Sequence, residues 1–262
     1  MVPLGAQAAF GFQKPEVISK TASRTLQEEA RHAVLDLRRI HKVKVVYALK
    51  KFAFPDSWRK APINAGAHPM ELSEVIRVCP MVCDFLSAYP ETLLQRRLDT
   101  IYLVGSMEFY GKRYGGTNSR NALYICSTGV RNGYSREYVL GAMHHEFSSI
   151  LLRSYRDQFP EKLWRAANPK GWKYQHRSGT DALGDPDLWK SDNALNKKGF
   201  LVGYSQSTLE EDFNMYATWG SVRLNKMREV ALKHPRIKKK YRLIRAFYER
   251  IHPELRFVLK SL

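Results

Sequence analysis

The chain has 262 residues, 44% of them hydrophobic, which is enough for one sizeable core or at most two closely packed lobes. Its longest apolar stretches, such as VKVVYAL near residue 45, fall far short of the about 20 consecutive apolar residues that cross a bilayer. The formal net charge is +18, and residues 223 to 262 hold 13 basic against 3 acidic side chains, so +10 of that charge is a C-terminal feature. With no zinc finger, RNA-binding aromatic motif or glycine-rich phosphate loop, this excess reads first as a solvated helix face. Nucleic acid or an anionic surface is the less favoured partner.

Residues 1 to 24 are expected to form a polar N-terminal arm, and residues 25 to 262 one catalytic-type domain. Ala6-Gln7-Ala8 before Ala9 looks like the tail of a signal-peptide cleavage site, without the charged region and long apolar core of a complete one. Thr25-Leu-Gln-Glu28 has the form of a capping box, and Leu26, Ala30, Ala33, Val34 and Leu37 continue with helical period. Lys42 to Tyr47 alternates like a strand, and Pro55, Pro62 and Pro69 punctuate a loop region before a helix at about 71 to 88. Within that helix lies VIRVCPMVCDFL. Three cysteines cannot make a disulfide framework, so Cys79, Cys83 and Cys126 are expected as buried thiols.

Thr100 to Val104 and Asn121 to Ile125 read as two strands separated by a turn region at Gly111 to Gly116, and the second is placed at a sheet edge. Residues 160 to 200 carry Pro169, Gly171, Gly179 and Gly184 with little apolar periodicity, which predicts an extended loop. In YRLIRAFYERI, Tyr241, Ile244, Phe247, Tyr248 and Ile251 recur at i, i+3 and i+4, leaving Arg242, Arg245 and Glu249 on an outer face.

Residues 135 to 155 hold the most informative segment. At about 100° per residue, Val139, Leu140, Met143, Phe147, Ile150 and Leu151 cluster within roughly 120° of arc. His145, Glu146 and Ser149 fall together on the opposite side, expected to point away from the packing. In an HExxH helix two imidazoles one turn apart hold one zinc ion, and the intervening glutamate activates a metal-bound water. Ser149 stands where the second imidazole belongs, and a serine hydroxyl is a weak zinc ligand. His144 borders the apolar arc and is expected to be a partly buried, hydrogen-bonded histidine. Alone, an HE pair is a weak signal and usually means no more than a polar helix face.

Further motifs lie around that helix: the strand Thr100-Ile-Tyr-Leu-Val-Gly105, the Gly115-Gly116-Thr117 turn, His144-His145-Glu146-Phe147 with Ile150-Leu151, then GFLVGYSQSTLEEDFNMYA and KKKYRLIRAFYERIHPELR. In these the chain resembles the zinc-binding metallopeptidases of bacterial lipoprotein type, related in their site to the lethal-factor group. The resemblance spans roughly residues 30 to 257. It implies an α/β (α+β) zincin-like domain with a small mixed sheet, an active-site helix and a helical C-terminal half. It implies Zn²⁺ as cofactor, held by His145 and Glu211, with Ser149 in place of the second histidine. Glu146 becomes the water-activating base and Tyr204 the oxyanion donor. It also implies a peptide or protein substrate, and a periplasmic or extracellular location.

The family pattern continues EDFAE where this chain has Asn214-Met215, so a supporting carboxylate is absent. Two functions follow from the resemblance, and a third and weaker one, an anion- or nucleic-acid-binding protein, from the basic C-terminal region. One is a zinc-dependent peptidase impaired at Ser149, with His176 of the long loop a possible replacement ligand and peptide lying along the strand at 121 to 126. The other is an inactive pseudopeptidase that binds peptide or another ligand. Tyr204 as a packed aromatic, and Glu210, Glu211 and Asp212 as ordinary helix N-terminal acids, remain open readings.

Overall fold

The computed structural model describes residues 20–48, 53–176, 179 and 185–262. Helix α1 (Lys20–His41) buries Ala30, Val34 and Leu37 along one stripe and packs on α2 (Leu72–Ser87). The helix is already under way at Lys20, so Thr25 and Glu28 lie inside it and not at its start; Glu28 pairs with Arg24 one turn before it at 3.3 Å. Residues 20 to 24 of the expected arm are therefore helical, and residues 1–19 lie outside the described residues.

The strands are β1 (Lys44–Val46), β2 (Gly66–Pro69), β3 (Thr100–Phe109), β4 (Lys112–Tyr114), β5 (Gly116–Asn118) and β6 (Ala122–Cys126), with α3 (Glu91–Arg97) between β2 and β3. They make one six-stranded mixed sheet along the path β1-β3-β6-β5, with β2 and β4 antiparallel to the far half of β3. Strand β3 runs parallel to both β1 and β6, which encloses Ile101, Leu103 and Val104 completely. The β3–β4 hairpin turns on Tyr110 (φ 53°) and Gly111 (φ 68°) between the paired Phe109 and Lys112. Two positive φ values suit a two-residue turn whose twist matches that of the flanking strands.

Strand β6 is not at the edge. It lies between β3 and β5, its five residues all buried, and β5 takes the terminal place. The continuous apolar run Ala122 to Cys126, without alternation, is what a strand covered on both faces looks like.

Helix α4 (Arg136–Ser154) starts at Ser135, whose hydroxyl accepts from the Tyr138 amide at 3.1 Å, and it is buried without interruption from Val139 to Leu152. The stretch expected as an extended loop carries α5 (Glu161–Arg165), a 3-10 turn at Pro186–Trp189 and α6 (Asn193–Lys198); residues 177–178 and 180–184 lie outside the described residues. Helices of five and six residues make under two turns, too few for a 3.6-residue period to appear. Asp192 nevertheless caps α6 through the Leu195 amide, and Gly199 ends it at φ 92°.

The chain closes with α7 (Leu209–Val222), α8 (Leu224–Lys233) and α9 (Pro235–Ile251). Tyr241, Ile244, Phe247 and Tyr248 are buried as their spacing predicts, with Ile251 half-buried, Arg242 and Glu249 exposed and Arg245 half-buried. Lys240 departs from the solvated basic face: its ammonium is fully buried, 2.6 Å from Asp212 Oδ2 and 2.9 Å from the Gly199 carbonyl, over the ring of Phe200 at 4.2 Å. None of the described helices is long and apolar enough to cross a membrane.

All three cysteines are free, Cys79 and Cys126 buried and Cys83 half-buried with its sulfur 3.5 Å from His41 Nε2. Burial pushes the Cys79 thiol up to about 11 and raises Cys126 further still. Because the thiolate is the reactive form, iodoacetamide at pH 8 is expected to label Cys83 in the native protein and all three thiols in urea. Mass mapping that found Cys126 labelled as fast as Cys83 in the native state would contradict this burial.

Candidate functional site

The site forms where α4 crosses α7 beneath the 3-10 turn Gly203–Gln206. Thr208 caps α7, its hydroxyl accepting from the Glu211 amide at 3.1 Å, and the positive end of the helix favours the acidic run Glu210, Glu211, Asp212. This fixes Glu211 in the first turn, aimed at α4. His145 Nε2 donates to Glu211 Oε2 at 2.9 Å, and the Tyr204 hydroxyl is hydrogen-bonded to the same carboxylate. Tyr204 is fully buried, with its ring centroid 4.5 Å from that of Trp189.

The expectation that His145, Glu146 and Ser149 point away from the packing is not met: all three are at most 1% exposed. Helix α7, the 3-10 turn and β5 cover the side that helical periodicity leaves polar, and polar groups can be buried there because they bond to one another. Glu146 Oε2 accepts from Asn118 of β5, and its side chain lies against Gly116, where an added methyl group would sit 3.0 Å from Oε1. Arg153 holds Asn118 from α4 and reaches Glu210 at 3.0 Å.

Ser149 does not stand alone. Its hydroxyl accepts from Asn214 Nδ2 at 2.7 Å, the same amide lies 3.4 Å from His145 Nε2, and Asn214 Oδ1 accepts from Ser148 at 2.6 Å. Met215, in the place of the supporting carboxylate, is an ordinary buried apolar residue. Asp212 faces away from Glu211 into a second polar nest, accepting through Oδ2 from Trp164 (2.9 Å), Tyr174 (2.7 Å) and Lys240 (2.6 Å). His144 is buried and bonded through Nδ1 to the Tyr89 hydroxyl at 2.8 Å, as expected.

Electrostatics follow from burial. Desolvation lowers His144 to about 3, so it is neutral near pH 7. Burial raises the Tyr204 phenol well above its usual value, with the Glu211 carboxylate and then Glu146 adding to the shift, so it is a proton donor there. Burial raises Asp212 and lowers Lys240, while each partner's charge opposes the shift of the other.

The arrangement brings His145, Ser149, Tyr204 and Glu211 into one cluster, with Glu146 beside it toward β5. It does not bring His176, whose side chain is exposed and whose backbone amide bonds to the Ser207 carbonyl at 2.9 Å. Sequence reasoning missed Asn214, Ser148, Asn118, Gly179 and Trp189. A methyl group at Gly179 would overlap Glu211 Oε1 and approach Tyr204 Oη to 2.5 Å, so the main chain at 179 closes over the cluster. Its place in a stretch with Pro169, Gly171 and Gly184 carries no sign of that contact.

A catalytic zinc ion takes three protein lone pairs and a water. His145 and Glu211 are two suitable donors, but among the described residues no three His, Cys, Asp or Glu side chains converge. The third position holds a neutral serine hydroxyl, already hydrogen-bonded to the Asn214 carboxamide at 2.7 Å and a weak zinc ligand beside an imidazole nitrogen. The donor set does not fit a catalytic zinc.

No family model matches the sequence, and no curated protein matches it. Among solved structures, the crystal structure of a candidate zinc-binding metallo-peptidase from Bacteroides caccae is similar, with a TM-score of 0.58 at 14% sequence identity over 92% of this chain and 91% of that one. At that identity the likeness is one of fold, and this chain has a metallopeptidase-like fold of mixed α/β class.

Proposed function

We propose that this protein is a pseudopeptidase: a metallopeptidase-like fold whose metal centre is replaced by hydrogen bonds and which acts by binding a peptide or similar ligand. The observation that carries the reading is the Asn214 carboxamide, seated between Ser149 Oγ and His145 Nε2 where a third ligand and its metal would need lone pairs.

Residues 121 to 126 offer no edge for an added peptide strand, since β6 lies between β3 and β5. Strand β5 is the sheet end, but Gly116 and Thr117 are buried, so its main chain is not open to a partner in this conformation. Space for a ligand exists instead beside Trp189, whose ring lies against that of Tyr204. A cleft of about 1180 Å³ has Leu140, Trp189 and Trp219 among its walls. Two ion pairs, Arg136 with Asp84 and Arg223 with Glu137, stand on its rim. An apolar floor with both signs of charge at its edge suits a short peptide segment.

The zinc-peptidase reading rests on the proximity of His145, Glu146, Tyr204 and Glu211, with Glu146 as base. Elemental analysis of protein purified at neutral pH without chelators separates the two. The expected result is far less than one zinc per chain, together with peptide turnover that is equally absent in wild type and Glu146→Gln. Close to one zinc per chain, with cleavage abolished by Glu146→Gln, would sink the pseudopeptidase.

A further inference from the structure

Between α8 and α9 lies a second cleft, of about 370 Å³, whose charged side chains are all cationic: Arg228, Lys238, Arg242 and Arg245. Several basic side chains elsewhere on the surface have acidic neighbours: Arg136 has Asp84, Arg223 has Glu137, Arg153 has Glu210, and Lys226 and Lys233 share Glu229. In this cleft that compensation is mostly missing. Arg228 donates through Nε and Nη2 to the uncharged Ser261 carbonyl at 3.3 and 2.9 Å. Arg245 donates to the Leu259 carbonyl at 2.8 Å and has one carboxylate, Glu249, at 3.1 Å. The side chains of Lys238 and Arg242 make no hydrogen bond or ion pair among the described residues.

Lys238 and Arg242 stand one helical turn apart on α9, and Arg245 follows three residues on, spacings at which like charges repel. Such a group is stabilised by an anion that several cations share. Two of the guanidinium groups are already oriented by backbone carbonyls, and a guanidinium fork matches the paired oxygens of a phosphoryl group. Leu232, 79% exposed, forms an apolar lip, and the Tyr241 hydroxyl is turned away onto the Lys260 carbonyl at 2.7 Å.

We propose that the α8–α9 cleft is a binding site for a small molecule carrying a phosphoryl or pyrophosphoryl group. The volume lies within the usual range for small-molecule pockets of about 300 to 1,000 Å³ and suits one such group with a modest organic part. The lining holds no exposed aromatic ring on which the bases of a nucleic-acid strand would stack. The site is independent of the Glu211 cluster and of whether that cluster holds metal.

Calorimetric titration of the full chain with inorganic pyrophosphate at low ionic strength tests it. One saturable site is expected, and the double substitution Lys238→Ala/Arg242→Ala should weaken it by about tenfold or more, the loss of two charge-assisted contacts. Since neither side chain has a partner among the described residues, the variant should melt at or slightly above the wild-type temperature. Absence of saturable binding at millimolar pyrophosphate, or equal binding by the double variant, overturns the proposal. So does a single-stranded oligonucleotide that outcompetes pyrophosphate with a salt dependence of more than four phosphates, the mark of a general polyanion surface.

Discussion

Replacing Lys240 with Met is expected to destabilise the protein by about 3 to 5 kcal/mol, the usual consequence of leaving one member of a buried ion pair behind. Both side chains are completely buried, and Asp212 Oδ2 accepts from Lys240, Trp164 and Tyr174 together. Without the ammonium, the Asp212 carboxylate must either stay charged in an apolar nest or take up a proton. For a chain of this size the melting temperature should fall by roughly 10 °C, at about 2 to 4 °C per kcal/mol. Asp212→Asn/Lys240→Met, which removes the charge but keeps an oxygen for Trp164 and Tyr174, should recover a large part of the loss. A melting temperature unchanged in the single variant would mean that α9 does not depend on this pair.

Glu211→Ala is expected to cost about 3 kcal/mol, because the His145 N–H and the Tyr204 hydroxyl then lose a shared acceptor in a buried site, at about 1 to 3 kcal/mol each. The informative comparison is with chelator. In a hydrogen-bonded cluster, wild-type protein melts at the same temperature with and without EDTA, and the variant falls by the same amount in both. In a metal centre, EDTA alone lowers the wild-type value through loss of ligand binding to the native state, and Glu211→Ala removes that sensitivity. The second pattern would reinstate zinc. Glu211→Gln keeps an acceptor oxygen and should be milder than Ala, which distinguishes loss of a hydrogen bond from loss of packing.

Much of the secondary structure is legible in local pattern. The helix at 135 to 155 announces itself by a periodic apolar arc, and the one at 71 to 88 by its apolar pattern. Strand β6 is readable as a strand from Ala122 to Cys126, but its place in the sheet is not, since pairing with β3 on one side and β5 on the other is a property of distant segments. The short helices α5 and α6 escape because two turns carry no detectable period. Lys240 sits in a run of three lysines that looks solvated, and only the arrival of Asp212, 28 residues earlier in the chain, makes its burial possible.

The candidate site divides in the same way. By itself the sequence determined the ingredients: a helix bearing His145 and Glu146, a serine where a second imidazole would stand, and Tyr204 seven residues before Glu211 at a helix start. These are facts of spacing within single segments, and helical geometry turns them directly into shared faces. Only the tertiary structure decided what the segments do to one another. It put Asn214 against Ser149 and His145, buried the polar face of α4 under α7, and laid Gly179 over Glu211. Those contacts join residues 30 to 70 positions apart, and a buried polar group is stable only when such a partner arrives to satisfy it. What surrounds Ser149 at the third ligand position was therefore decided by the packing of α7 on α4.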